Sequence, residues 1–203
     1  MEEQRAIRQL TALSKDIKTM RLAAESWKTP FQTLISTIMS ARTRDEVTIP
    51  VASKLFKIYP SPNKLATAKL KDIESIIKPV NFYKNKSKNI IQCAKTIVTL
   101  HGGKVPSAID ELIKLPGVGR KTANVFLSEY GKSAIGVDTH LSHISQKLGW
   151  TKNKHPDKIE RDLQSLFPKR YWGRVNPTAV RFGKTHNNRK KKDELLAQIK
   201  KIR

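Results

Sequence analysis

The segment Leu115-Pro116-Gly117-Val118-Gly119-Arg120-Lys121-Thr122-Ala123 constrains this chain more than any other stretch. Pro-Gly-Val-Gly cannot continue a helix, and its two glycines free the backbone for a tight turn and for close approach to another molecule. Apolar residues at helical spacing precede it (Ile109, Leu112, Ile113) and follow it (Ala123, Val125, Phe126). The pattern predicts helix, glycine hairpin, helix. The second helix then turns its first amides outward, where they suit a phosphate oxygen. Lys121 falls in that first turn, at the end of the helix dipole that disfavours an ammonium. A lysine so placed is either a phosphate contact or an amine pushed toward nucleophilicity. Asp138 follows in Val137-Asp138-Thr139-His140, just ahead of another helical pattern, where its ordinary role is an N-cap worth about 1 kcal/mol.

Helical periodicity runs through the chain and strand-like alternation is nearly absent. It predicts helices over 2–20, 30–41, 45–58, 69–77, 84–100, 107–113, 120–130, 139–148, 155–166, 171–184 and 190–202. Breaks are expected at Thr29-Pro30, Pro60-Ser61-Pro62, Lys78-Pro79, His101-Gly102-Gly103, Pro116-Gly117 and Gly131, and Ser107 and Asp157 read as caps or first-turn residues. The expected fold class is all-α, with two helical lobes flanking a cleft. The hairpin and Lys121 would lie at the edge of one lobe, and Asp138 at the start of the connection into the other. A cleft so lined is the expected site.

Charge narrows the partner. Forty Lys and Arg against 17 Asp and Glu leave a net +23 on 203 residues, which favours polyanions and steeply salt-dependent binding. The opening residues are polar, with no apolar secretory segment, and no apolar run is long enough to span a bilayer, so an intracellular protein is expected. The single cysteine, Cys93, shares an apolar helix face with Ile90, Ala94 and Ile97 and reads as a core thiol. One cysteine allows no intramolecular disulfide and no cysteine-ligated iron–sulfur cluster or zinc site.

The hairpin with Lys121 and Asp138 resembles the helix-hairpin-helix DNA glycosylases, specifically the endonuclease III family. The similarity extends through Pro30-Phe31 to Ser40-Ala41-Arg42-Thr43-Arg44-Asp45, through Asn81-Phe82-Tyr83-Lys84-Asn85-Lys86, and from the hairpin to His140. It covers about residues 28–150 and continues more weakly to about 186. The resemblance implies a helical bundle domain over 22–133 carrying the hairpin, and a second helical domain from 1–21 plus 134–203. It implies a monomeric, DNA-associated protein of the prokaryotic cytoplasm or nucleoid, acting on double-stranded DNA that contains damaged bases or abasic sites. The implied activity is that of a bifunctional glycosylase and abasic-site lyase of base excision repair, removing oxidised pyrimidines.

In that family Lys121 is the nucleophile and Asp138 the carboxylate that stabilises positive charge developing on the sugar. The amides of Gly117, Val118 and Gly119 and the hydroxyl of Thr122 are candidate phosphate ligands. The hairpin carbonyls also offer a place for a monovalent cation. A base inside a duplex must be extruded and the gap filled, and the family fills it from loops matching Arg42 and Phe82. Phe82 in its polar run suits a stacking wedge, or else a loop aromatic tucked against the core. Arg42 stands where many relatives carry glutamine, and so suits a guanine edge or a phosphate instead. His140 also matches the DNA-contacting set, although its ordinary role is to bond neighbouring backbone.

The C-terminus departs from the family. Most relatives end in four cysteines holding an iron–sulfur cluster whose loop contacts DNA, whereas Phe182 to Lys192 contains none, and His143 replaces a usual arginine. No such cluster is expected, nor a metal site from His140, His143 and His186. Leu195, Leu196, Ile199 and Ile202 form an amphipathic pattern able to pack without metal, with a basic face toward phosphates. Two alternatives remain beside the main reading. One is a mismatch-directed thymine or adenine glycosylase, although the adenine-removing branch usually has serine at the position of Lys121. The other is a non-catalytic helix-hairpin-helix DNA-binding protein.

Overall fold

The hairpin predicted above is present in the computed structural model, which describes residues 2–130 and 132–202. Secondary structure among the described residues is helical throughout, as expected for an all-α chain. The chain forms two compact units, Met1–Met20 with Gly131–Arg203, and Arg21–Tyr130. The break expected at Gly131 lies outside the described residues.

The second unit is built around helix α2 (Pro30–Ser40), started by Thr29, whose hydroxyl accepts from the Gln32 amide. Phe31 to Met39 are buried without interruption, the mark of a helix surrounded on all sides. Its polar members are satisfied internally: Ser36 Oγ donates to Ala23 O at 2.6 Å, and Thr37 Oγ1 to Thr33 O at 2.7 Å. Around it stand α3 (Asp45–Ile58), α4 (Pro62–Ala66), α5 (Leu70–Ile77), α6 (Tyr83–His101), α7 (Ile109–Leu112) and α8 (Arg120–Glu129). Helix α4 falls where only a break was expected; Ser61 caps it by accepting from the Lys64 amide, and Leu65 anchors it. Cys93 is fully buried beside Ile90, Ala94 and Ile97, as its spacing predicts, and burial pushes its thiol up to about 12. Ser107 does not cap α7; Ala108 takes that position.

The other unit contains α1 (Glu2–Lys15), α9 (Thr139–Leu148), α10 (Pro156–Leu166), a short 3-10 turn at Lys169–Tyr171, α11 (Trp172–Thr185) and α12 (Arg189–Lys200). Helix α1 ends five residues before the expected position 20. The chain beyond it is captured by α11 instead: the Lys18 amide donates to Thr185 Oγ1 at 2.9 Å, and His186 pairs with Asp16 at 3.2 Å. Asp157 takes its expected first-turn place in α10.

Helix α12 is fastened at four points. Asn188 caps its start by accepting from Lys191 N. Asp193 accepts from His143 and from Lys147 of α9, each at 2.8 Å. Leu196 is fully buried in a cluster with Leu10, Leu141 and Ile144. At its C-terminal end Arg5 donates to the carbonyls of Ile202 and Lys200, groups that a helix leaves without internal partners. Leu196→Ala removes the apolar anchor and is expected to cost about 2–4 kcal/mol. Urea unfolding followed by tryptophan fluorescence checks this, with Trp150 and Trp172 reporting on the unit; a loss below about 1 kcal/mol would mean that α12 packs loosely.

Candidate nucleic-acid interface

The hairpin joins α7 to α8. Gly117 adopts φ +81° and Gly119 φ −91°, so the two glycines serve different ends. A Cβ at Gly117 would stand 3.0 Å from Asn89 Cβ and 3.3 Å from Ile38 Cγ2, so the turn is pressed against α6 and α2. Gly119 is the N-cap of α8 and a Cβ there would meet nothing within 4 Å. Its bare backbone faces open space. Val118 is the anchor between them: its side chain is buried and its amide donates to Leu115 O at 3.0 Å. That corrects one expectation, because the Val118 N–H is spent closing the turn rather than offered to a phosphate. The first helical bond runs from Ala123 N to Gly119 O, leaving the amides ahead of Ala123 at an end with no capping side chain. Lys121 projects into solvent from that first turn, while Thr122 is buried beneath it.

Two loops of the same unit, far apart along the chain, meet in space. Arg42 and Phe82 both adopt left-handed backbone, φ +57° and +60°, which glycine takes readily and other residues do not. Each costs about 1–2 kcal/mol. The Arg42 guanidinium lies 5.2 Å from the centroid of the Phe82 ring, a contact worth about 0.5–1 kcal/mol when exposed. That stacking alone does not offset the backbone cost; hydrogen bonds do. Asn81 Nδ2 donates to Arg42 O at 2.6 Å, and the Asn81 amide donates to Thr43 Oγ1 at 3.2 Å. Phe82 remains 57% exposed, which excludes an aromatic tucked into the core. Beneath the loops, Lys86 is buried and donates to Met39 O (2.7 Å), Ala41 O (2.6 Å) and Thr43 Oγ1 (3.2 Å). Burial pulls its ammonium down to about 8, and the three accepting oxygens act in the opposite sense.

Asp138 and His140 belong to the other unit, at the start of α9. Asp138 is the N-cap, accepting from Leu141 N at 2.8 Å. Its approach is fixed by Ile135 and Val137 in the core and by buried Asn176, which donates to Gly136 O at 2.6 Å. The His140 ring packs against Gly183 of α11, where a Cβ would collide with it. Its pKa is held low, chiefly by burial and further by Lys192, Lys184 and His143, against the pull of Asp138. His140, His143, Arg189 and Lys192 line a cavity of about 340 Å³. Among the described residues no cluster of three or more His, Cys, Asp or Glu is arranged to hold a metal.

Sequence reasoning missed Lys86, Asn81 and Asn176. The signal for Lys86 was present: it continues the buried stripe of Ile90, Cys93, Ala94 and Ile97 toward the start of α6, and a lysine in an apolar stripe requires partners. Asn81 and Asn176 act through backbone carbonyls remote in sequence and left no periodic trace.

Residues 35–169 match the HhH-GPD superfamily of base excision DNA repair proteins. Endonuclease III of Thermotoga maritima is 45% identical over 156 residues, 76% of this chain and 73% of that protein. Endonuclease III of Synechocystis sp. is 45% identical over 148 residues, 72% and 68% respectively. A trapped endonuclease III–DNA covalent intermediate superposes with a TM-score of 0.83 at 32% identity, covering 92% of this chain and 88% of that one.

The divided roles of the two glycines give a direct check. Gly117→Ala is expected to lose about 1–3 kcal/mol in urea unfolding, from left-handed strain and the Asn89 contact. Gly119→Ala meets no clash and is expected to lose no more than about 1 kcal/mol, alanine being a poorer N-cap than glycine. Equal losses would mean that both positions serve the turn alone.

Proposed function

Because the chain belongs to the endonuclease III branch of the HhH-GPD base excision repair superfamily, we propose that it is a bifunctional DNA glycosylase and abasic-site lyase that removes oxidised pyrimidines, such as thymine glycol, from double-stranded DNA. The observation that carries this reading is the hairpin: α8 begins at an open-faced glycine with no capping side chain, and its first turn presents Lys121 to solvent.

In this mechanism neutral Lys121 Nζ attacks C1′ of the damaged nucleoside. The bond from C1′ to the base breaks, and the base leaves with the electron pair and takes up a proton. Loss of a proton from nitrogen and opening of the sugar ring give a Schiff base, which acidifies the C2′ proton. Removal of that proton forms a C2′–C3′ double bond and expels the 3′ phosphate with its electrons; water then frees Lys121. In the free protein Lys121 is exposed and so open to an extruded nucleotide. The Asp138 carboxylate, already oriented by its cap bond, stabilises the positive charge on the sugar as it develops. The amides of Gly117 and Gly119 and the hydroxyl of Thr122 hold the DNA backbone, with His140 as a further contact. Arg42 and Phe82 occupy the gap left by the extruded nucleotide. Backbone carbonyls of the hairpin would hold a monovalent cation, since a carbonyl that accepts one hydrogen bond keeps a second lone pair.

The family's iron–sulfur cluster does not fit this chain. Its only cysteine is sealed inside α6, and Asn188 to Lys200 form the capped, docked helix α12. Our reading is of a monomeric enzyme without that cluster, working on chromosomal DNA inside a prokaryotic cell. No helix among the described residues is long and apolar enough to cross a membrane.

Borohydride trapping on duplexes containing thymine glycol, an abasic site or a mismatch tests the assignment. The parent protein is expected to trap best on thymine glycol and abasic DNA. Lys121→Ala should bind these duplexes and trap nothing. Asp138→Asn keeps an N-cap acceptor, so stability should fall by less than about 1 kcal/mol, while the single-turnover rate falls about 100-fold or more. Preferred trapping on mismatches would replace the substrate assignment; base release without an adduct would leave a monofunctional glycosylase, and tight binding with neither would leave only a DNA-binding protein. The purified protein should also lack visible absorbance near 400 nm and bound iron; stoichiometric iron would overturn the cluster-free reading.

A further inference from the structure

We propose that Lys86 is a positioning residue of the repair reaction, clamping the Arg42 and Phe82 loops into one preformed wedge before DNA arrives. The inference rests on the reading of Arg42 and Phe82 given above and extends it to a side chain that never meets the nucleic acid.

The argument begins at the end of α2. Ser40 is its last residue, and the carbonyls of Met39 and Ala41 have no following turn to bond them. An ammonium there meets the negative end of the helix dipole. Lysine brings three donors on one small atom, and the structure gives Lys86 Nζ three acceptors: those two carbonyls and Thr43 Oγ1. A planar guanidinium would spread its donors over a wider fork. The three acceptors lie on either side of Arg42, so the ammonium pins both flanks of a residue held in left-handed backbone.

The same lysine belongs to the other loop. It lies in the first turn of α6, and its amide donates to Phe82 O at 3.0 Å, while Phe82 is the N-cap of that helix. One residue therefore grips the Phe82 loop through its backbone and the Arg42 loop through its side chain. Thr43 Oγ1 is the shared node, accepting from Lys86 Nζ and from the Asn81 amide. Asn81 closes the circuit on the exposed side by donating to Arg42 O. The outcome is an arginine stacked over a solvent-exposed phenylalanine, with both backbones already committed. A wedge that is ordered before binding spends less of its contact energy on immobilisation when the nucleotide leaves the stack.

Lys86→Met keeps the length of the chain and removes the donors. On duplex DNA containing thymine glycol the single-turnover rate is expected to fall 10- to 100-fold. On a single-stranded abasic oligonucleotide, which has no gap to fill, the trapping rate should stay within twofold of the parent. Asn81→Ala, at an exposed position that folding tolerates, should act in the same direction by a smaller factor. In a Phe82→Ala background, which itself slows the duplex reaction, Lys86→Met should cost clearly less than it does in the parent, the remainder acting through Arg42. Equal losses on both substrates, full additivity with Phe82→Ala, or no loss in either variant would overturn the clamp. A Phe82→Ala enzyme with the parental duplex rate would instead remove the wedge reading itself, and the clamp with it.

Discussion

The contact of Gly117 with Asn89 and Ile38 decides where α8 can begin. A Cβ added there would stand tighter than ordinary packing allows, and the left-handed turn reverses the chain in the space available. Val118 then enters the core and bonds back to Leu115, which sets the direction of the helix that follows. Gly119, Arg120 and Lys121 inherit their exposure from that geometry. The chemically interesting groups of the hairpin are thus displayed by residues whose own role is packing.

The same division of labour recurs at Asp138. Its carboxylate is oriented by the Leu141 amide, but the segment that delivers it is held by Ile135, Val137 and the Asn176 bond to Gly136. Further along that unit, α12 closes the core with Leu196, an ion pair through Asp193 and the Arg5 bonds to its terminal carbonyls. Each fastening is of a different kind, and most join residues more than a hundred positions apart or lie on separate helices. An amphipathic helix so tied supplies rigidity that a polypeptide of similar length would otherwise need a metal to acquire.

Local rules made much of this readable. The glycine hairpin, the Asp138 cap, the buried face around Cys93 and nearly all helices follow from spacing and capping chemistry, which act over a few residues. Failures came where distant residues decide. Helix α1 stops early because Thr185 and His186 capture the chain beyond it. Helix α4 was invisible because two prolines with a serine between them read as a break, although Pro62 is well suited to a first helical turn behind a serine cap. At the site, the Val118 amide was misjudged because a turn bond cannot be told from a free N–H by composition. Lys86 and Asn81 were read as part of a polar run, since their partners are carbonyls of another loop. His140 was given a local role, whereas its surroundings are set by Gly183 on α11.

The sealing of Cys93 has a consequence for the conditions in which this protein can work. Peroxides and related oxidants attack sulfur as thiolate, and a fully buried thiol pushed up to about 12 presents almost none at neutral pH. Such oxidants therefore find no reactive thiol anywhere in this chain, whose single cysteine lies in the core.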